Sequence, residues 1–148
     1  MEKRSFDRWE PMIAAGLVKE FEGLRLEAYL CPSGVPTIGY GHTAGVRLGT
    51  RISVEQADQL LTLDLERVRL QLRQSVKIPV SEGQFKALLS FAFNVGAVAV
   101  KDSTLLKYLN AGKFEAATQE FSRWVYSKGE RLPGLERRRA REAAVFAS

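Results

Sequence analysis

The sequence predicts an α+β fold, with a small β-hairpin lobe near the N-terminus and a larger helical lobe joined to it by a long helix. Two observations carry this. The stretch Glu22 to Thr43 holds four glycines (Gly23, Gly34, Gly39, Gly41) and two prolines (Pro32, Pro36), while the chain on either side has the apolar spacing of amphipathic helix. Downstream, Ala57, Leu60, Leu61, Asp64, Leu65, Val68 and Leu72 mark one face of a helix that no glycine or proline interrupts.

In chain order, Met1 to Glu10 is polar and reads as a loosely held lead-in. Pro11 suits the first turn of a helix, where its missing N–H costs nothing. Ile13, Leu17, Val18 and Phe21 continue at helical spacing, and Gly23 suits the left-handed residue that ends a helix. Glu22 then falls in the last helical turn. Alternation at Leu24, Leu26, Ala28 and Leu30 predicts a strand. Pro32-Ser33-Gly34 is a turn, and Pro36 to Tyr40 is the return strand. Val46 to Ile52 is expected to add a third short strand. Ser53 with Gln56 three residues later is a capping-box pattern, opening a helix expected to run to about Val76 and to break by Pro79. Ser81 and Gln84 repeat that pattern before Phe85, Leu88, Leu89 and Ala92, and Asn94-Val95-Gly96 stops the helix. Short helices are expected after Ser103 and from about Phe114 to Tyr126. A loop through Gly129, Pro133 and Gly134 precedes a last helix from Leu135 to Phe146. Residues 1–148 are read as a single domain, with the β lobe at about 24–52 and the helical lobe at 11–23 and 53–148.

Composition bounds the chemistry. Hydrophobic residues make up 45% of 148, enough for a sizeable core without metals or disulfides. A lone cysteine, Cys31, excludes an intrachain disulfide and a two-cysteine zinc site, and His42 is the only histidine. No metal and no cofactor are expected. The uncharged run Pro11 to Val18 falls far short of the about 20 apolar residues of a membrane span. The net charge of +5 suits an anionic partner: nucleic acid, an acidic membrane surface or an acidic cell-wall polymer.

Within the turn-rich stretch, a carboxylate, a thiol and a hydroxyl stand at Glu22, Cys31 and Thr37, with eight and five residues between them. A carboxyl at the negative end of a helix, near apolar residues, suits a general acid. The same position also suits an exposed helix-end residue. Cys31 falls at the hairpin tip, a poor place for a buried thiol. Thr37 alone is an ordinary strand residue. His42 has no serine and second acid arranged as a triad. The basic run Arg137, Arg138, Arg139, Arg141 points in several directions on a helix, so it reads equally as a solvated face or a nucleic-acid patch.

The segment FEGLRLEAYLCPSGVPTIGYGHT resembles the active-site segment of the phage lysozymes, the muramidase endolysins of tailed bacteriophages. Later landmarks follow in order: Phe93-Asn94-Val95-Gly96, Ser103-Thr104-Leu105-Leu106, Leu109-Asn110, Trp124, and Gly134-Leu135 followed by Arg138, Arg139 and Glu142. The resemblance implies a lysozyme-like fold with a cleft between the lobes. It also implies hydrolysis of the β-1,4 bond between N-acetylmuramic acid and N-acetylglucosamine in peptidoglycan. Glu22 takes the position of the catalytic acid and Thr37 that of a threonine that places water or substrate. Cys31 stands where many members carry Asp and some carry Cys. Tyr40, Phe93, Asn94, Ser103 and Arg138 are implied to line the cleft, with Arg138 also paired to Glu22. His42 and Asp64 are implied to form a structural ion pair. The chain has neither the apolar signal-arrest-release anchor nor the second cysteine of some relatives. It is expected to be a monomer without stable membrane insertion or a nucleic-acid partner. It would fold in the host cytoplasm and reach the periplasm and cell wall once a holin has opened the membrane. The rival readings are a lysozyme-like domain that binds peptidoglycan without cleaving it, and a basic helical nucleic-acid module.

Overall fold

A computed structural model describes residues 1–148. The N-terminal segment departs from the expected loose lead-in. Lys3–Arg4 forms β1 and pairs antiparallel with β4, Val80–Ser81. Phe6 is 1% exposed and stacks at 4.9 Å on Phe85, while the Trp9 indole N–H donates to the Val80 carbonyl at 3.0 Å. Arg69 holds the segment from outside by binding Asp7. Two buried aromatic rings, at about 1.5–3 kcal/mol each, outweigh the polar character of their neighbours.

Pro11–Ala14 is a 3-10 turn leading into the five-residue α1, Ala15–Lys19. The expected helix is therefore shorter than its apolar spacing suggested. Glu22 lies beyond its end, tied back by its own N–H to the Val18 carbonyl. Gly23 does not take the left-handed conformation expected of it.

The β lobe is the hairpin of β2, Arg25–Leu30, and β3, Pro36–Gly39, with Tyr29 opposite Thr37 and Leu30 opposite Pro36. Residues 46–52 do not form the expected third strand. They turn back so that Ala28 N–H reaches the Thr50 carbonyl and Ile52 N–H the Leu26 carbonyl. Leu24, Leu26 and Leu30 remain exposed, because the hairpin has no second layer to cover both of its faces.

The connecting helix, α2, runs Val54–Leu72, capped at Ser53 by the expected reciprocal bonds with Gln56. Ala57, Leu61, Leu65, Val68 and Leu72 are buried along one face. It stops short of Val76 and well before Pro79. The central helix, α3, Glu82–Val95, carries the second capping box at Ser81 and Gln84. After it come α4 (Ala97–Lys101), α5 (Thr104–Asn110) and α6 (Phe114–Glu120). The helix expected from Phe114 to Tyr126 breaks into a 3-10 turn at Phe121–Arg123 and gives way to a hairpin of β5, Tyr126–Ser127, and β6, Glu130–Arg131. The last helix, α7, Pro133–Ala147, starts with Pro133 in its first turn.

Two contacts set α3 against α7. Phe91, Phe121 and Phe146 meet edge-on at 5.2 and 5.4 Å. At Gly83 the backbones come so close that a Cβ would lie 2.3 Å from the Val145 carbonyl oxygen. That approach brings the arginines of α7 under the segment that carries Glu22.

Candidate active site

Glu22 is half-buried between the two lobes. Its Oε2 accepts from Nη1 of Arg138 at 2.5 Å. Its Oε1 lies against Gly41, where a Cβ would stand 3.1 Å away and 4.0 Å from the Phe93 ring. Gly41 has φ +83°, where a side chain would be strained, and a Cβ there would push on the Glu22 carboxylate. Because α1 ends at Lys19, the helix-end argument for Glu22 gives way to a nearer charge, the guanidinium of Arg138.

All three nitrogens of Arg138, only 3% exposed, are engaged: Nη1 with Glu22, Nε with Glu142 at 3.2 Å, and Nη2 with the Ser90 carbonyl at 3.2 Å. Glu142 is fully buried. It accepts the Ser90 hydroxyl at 2.6 Å, and its other oxygen is 2.8 Å from Nε of Arg139, with the N–H directed off the line of contact. Burial pushes the Glu142 carboxyl above the usual range, against the pull of the two guanidiniums and the hydroxyl. Burial likewise lowers Arg139. Arg139 lies over the Phe91 ring and donates to Asn94 Oδ1 at 2.8 Å, leaving the exposed Asn94 its amide N–H groups.

The hairpin supplies the other polar groups. Cys31 is half-buried at the tip, its sulfur 3.0 Å from the Ser33 hydroxyl. The Ser33 hydroxyl first, then the Val35 backbone, and more weakly the Thr37 hydroxyl lower the thiol from 9.0 to about 7. Hydrogen-bond donors favour the thiolate, and the thiolate is the reactive form. Thr37 is buried and donates to the Val35 carbonyl at 2.9 Å.

His42 and Asp64 meet at 2.9 Å through Nδ1, and Nε2 lies 2.9 Å from the Ala44 carbonyl oxygen. With both nitrogens engaged, His42 is not free to act as a base. Tyr40 is half-buried beneath the Lys19 ammonium, 5.0 Å from the ring centre. Ser103 differs from its expected role as a sugar contact. It is buried, donates to the Val100 carbonyl and accepts the Leu106 N–H, so it caps α5. No cluster of three or more His, Cys, Asp or Glu side chains is placed to hold a metal ion.

Sequence reasoning did not single out Gly41, Ser33, Ser90 or Glu142 as functional. Gly41 carried a signal, as a glycine beside a reactive segment. Glu142 carried one in its spacing, three and four residues after two arginines.

The family model for phage lysozyme matches residues 19–142. The chain belongs to the phage lysozyme family. It is 44% identical to the endolysin of Acyrthosiphon pisum secondary endosymbiont phage 1, over 89% of this chain and 93% of that protein. It is 45% identical to the endolysin of Bacillus phage B103, over 88% of this chain, and there it spans about half (51%) of the relative's length. Among solved structures, the muramidase domain of SpmX from Asticaccaulis excentricus superposes with a TM-score of 0.85 at 39% identity, covering 91% of this chain and 95% of that one. Membership makes this phage lysozyme a glycoside hydrolase with peptidoglycan hydrolysis as its general function.

Proposed function

We propose that the protein cleaves the β-1,4 bond between N-acetylmuramic acid and N-acetylglucosamine, with Glu22 as the acid and Cys31 in place of a second carboxylate. The observation that carries this reading is the Glu22 carboxylate held in place by Arg138, with a thiol of lowered pKa at the tip of the adjoining hairpin. In glycoside hydrolysis one group protonates the leaving oxygen while the other activates water or attacks the anomeric carbon. Glu22 takes the first role and the Cys31 thiolate the second. Thr37 positions water or substrate beside it. Tyr40, Phe93, Asn94 and Arg138 line the cleft, and His42 with Asp64 holds the hairpin to α2.

Lysis of purified peptidoglycan by the wild type, Glu22→Gln, Cys31→Ser and Cys31→Ala tests these roles. Both positions should be required, and alkylation of Cys31 should abolish lysis. Full activity in Cys31→Ala would remove the thiol from the mechanism. Binding without cleavage by the wild type would favour the inactive-domain reading.

The protein is further proposed to act as a monomer that accumulates in the host cytoplasm and reaches the wall through a holin. No helix is long and apolar enough to cross a membrane, which supports this route. Cells expressing the chain alone should lyse only after a permeabilising agent is added, and prompt lysis without one would refute holin dependence.

A further inference from the structure

The nearest charged group to Glu22 is the Arg138 guanidinium, at 2.5 Å, so whatever fixes Arg138 also fixes the aim of the carboxylate. Arg138 and Arg139 are adjacent and almost completely buried, and both reach the same carboxylate, Glu142, three and four residues further along α7. Buried charges require partners, and Glu142 is the only fully buried carboxylate available to both arginines.

We propose that Glu142 is a positioning residue that shares the charge of Arg138 and fixes the direction in which Arg138 meets Glu22. This rests on Glu22 being the acid. The orienting half follows from geometry. With Nε on Glu142 and Nη2 on Ser90, the guanidinium plane cannot rotate, and Nη1 is left directed at Glu22. Ser90 fixes Glu142 in turn through its 2.6 Å bond to Oε2.

The charge half follows from counting. The cluster holds two guanidiniums, Glu142 and Glu22, and no other charged side chain lies within ion-pair distance of any of them. The remaining groups packed on it are neutral: Ser90 and Asn94 from α3, the Phe91 and Phe21 rings, and the Gly41 backbone. The two carboxylates and two guanidiniums balance in charge, and a neutral residue at 142 would leave the cluster one positive charge in excess beside Glu22.

The test is lysis of purified peptidoglycan across pH for the wild type, Glu142→Gln, Glu142→Asp, Arg139→Gln and Glu22→Gln. Glu142→Gln keeps shape and hydrogen-bonding capacity but removes the charge. Its alkaline limb should move to lower pH by about one unit, the size expected for one nearby charge, while the acid limb stays in place. Glu142→Asp should restore the limb. Arg139→Gln removes a positive charge and should move the limb the other way, so the proposal stays testable if Glu142→Gln fails to fold. A purely structural Glu142 would lower the rate by one factor at every pH. Unmoved limbs in the folded variants, with lysis still dependent on Glu22, would overturn this proposal alone. Lysis by Glu22→Gln with an unchanged profile would overturn it together with the role of Glu22.

Discussion

Gly41 packs its backbone against the carboxylate of Glu22, so closely that a Cβ at position 41 would stand 3.1 Å from Oε1. The other carboxylate oxygen is held by Arg138, so room for a Cβ would come only by shifting Glu22 against that contact. Gly41→Ala is expected to displace the carboxylate and to strain a backbone at φ +83°. Lysis should fall by at least about tenfold through misplacement of the Glu22 carboxylate. Circular dichroism should show the fold retained, with a stability loss of about 1–3 kcal/mol. Undiminished lysis in a folded Gly41→Ala protein would show that this contact does not set the position of Glu22.

The pairing of Cys31 with Ser33 makes a prediction about reactivity. The thiol is lowered to about 7, so its thiolate fraction rises with pH through neutrality instead of near 9. The rate of alkylation by iodoacetamide should be half-maximal near pH 7. Ser33→Ala removes the largest cause of the shift, and its midpoint should rise by about one unit. The sign for stability is the same: a depressed folded pKa favours the folded state most above the unfolded value, and that gain disappears as pH falls through about 7. A wild-type alkylation midpoint near 9 would contradict the hairpin geometry.

The His42–Asp64 pair is a stability feature with little exposure, 12% and 5% for the two side chains. Removing one partner leaves the other buried without it, and His42→Ala or Asp64→Ala should each cost about 3 kcal/mol in urea unfolding. The double variant should cost markedly less than the sum, because each single change strands the same contact. Additive losses would mean that the pair does not act as a unit.

The N-terminal segment offers a direct contrast between reading and structure. A loose lead-in would tolerate Phe6→Ala at no cost. A ring 1% exposed and stacked on Phe85 should cost about 3–5 kcal/mol when truncated. Thermal and chemical unfolding of Phe6→Ala decides between them.

Legibility followed the range of the forces involved. The two capping boxes at Ser53 and Ser81 and the apolar stripes of α2 and α3 are local patterns, and these helices begin where the patterns place them. The hairpin and its Cys31 tip were likewise readable from turn residues. Pairing of Lys3 with Ser81 has no local signature, so β1 and β4 were missed. Residues 97–101 form α4 directly after Gly96 without a side-chain cap, leaving little to mark its start. At Glu22 the residue and its Arg138 partner were legible through the family resemblance, but the groups behind Arg138 were not. Ser90 and Glu142 come from α3 and α7, and Glu142 among its arginines looks in sequence like one more solvated charge.

The contact between Glu22 and Arg138 spans 116 positions along the chain. Arg138 belongs to α7, which leaves the ribosome after everything else in the domain. Chains fold as they emerge, N-terminal regions first. A growing polypeptide therefore exposes its Glu22, hairpin and connecting helix while the carboxylate still lacks its guanidinium. Translation itself acts as a timer: the Glu22–Arg138 pair is complete only when synthesis of the domain is nearly finished, and a chain truncated before Pro133 carries the carboxylate without the guanidinium that holds it.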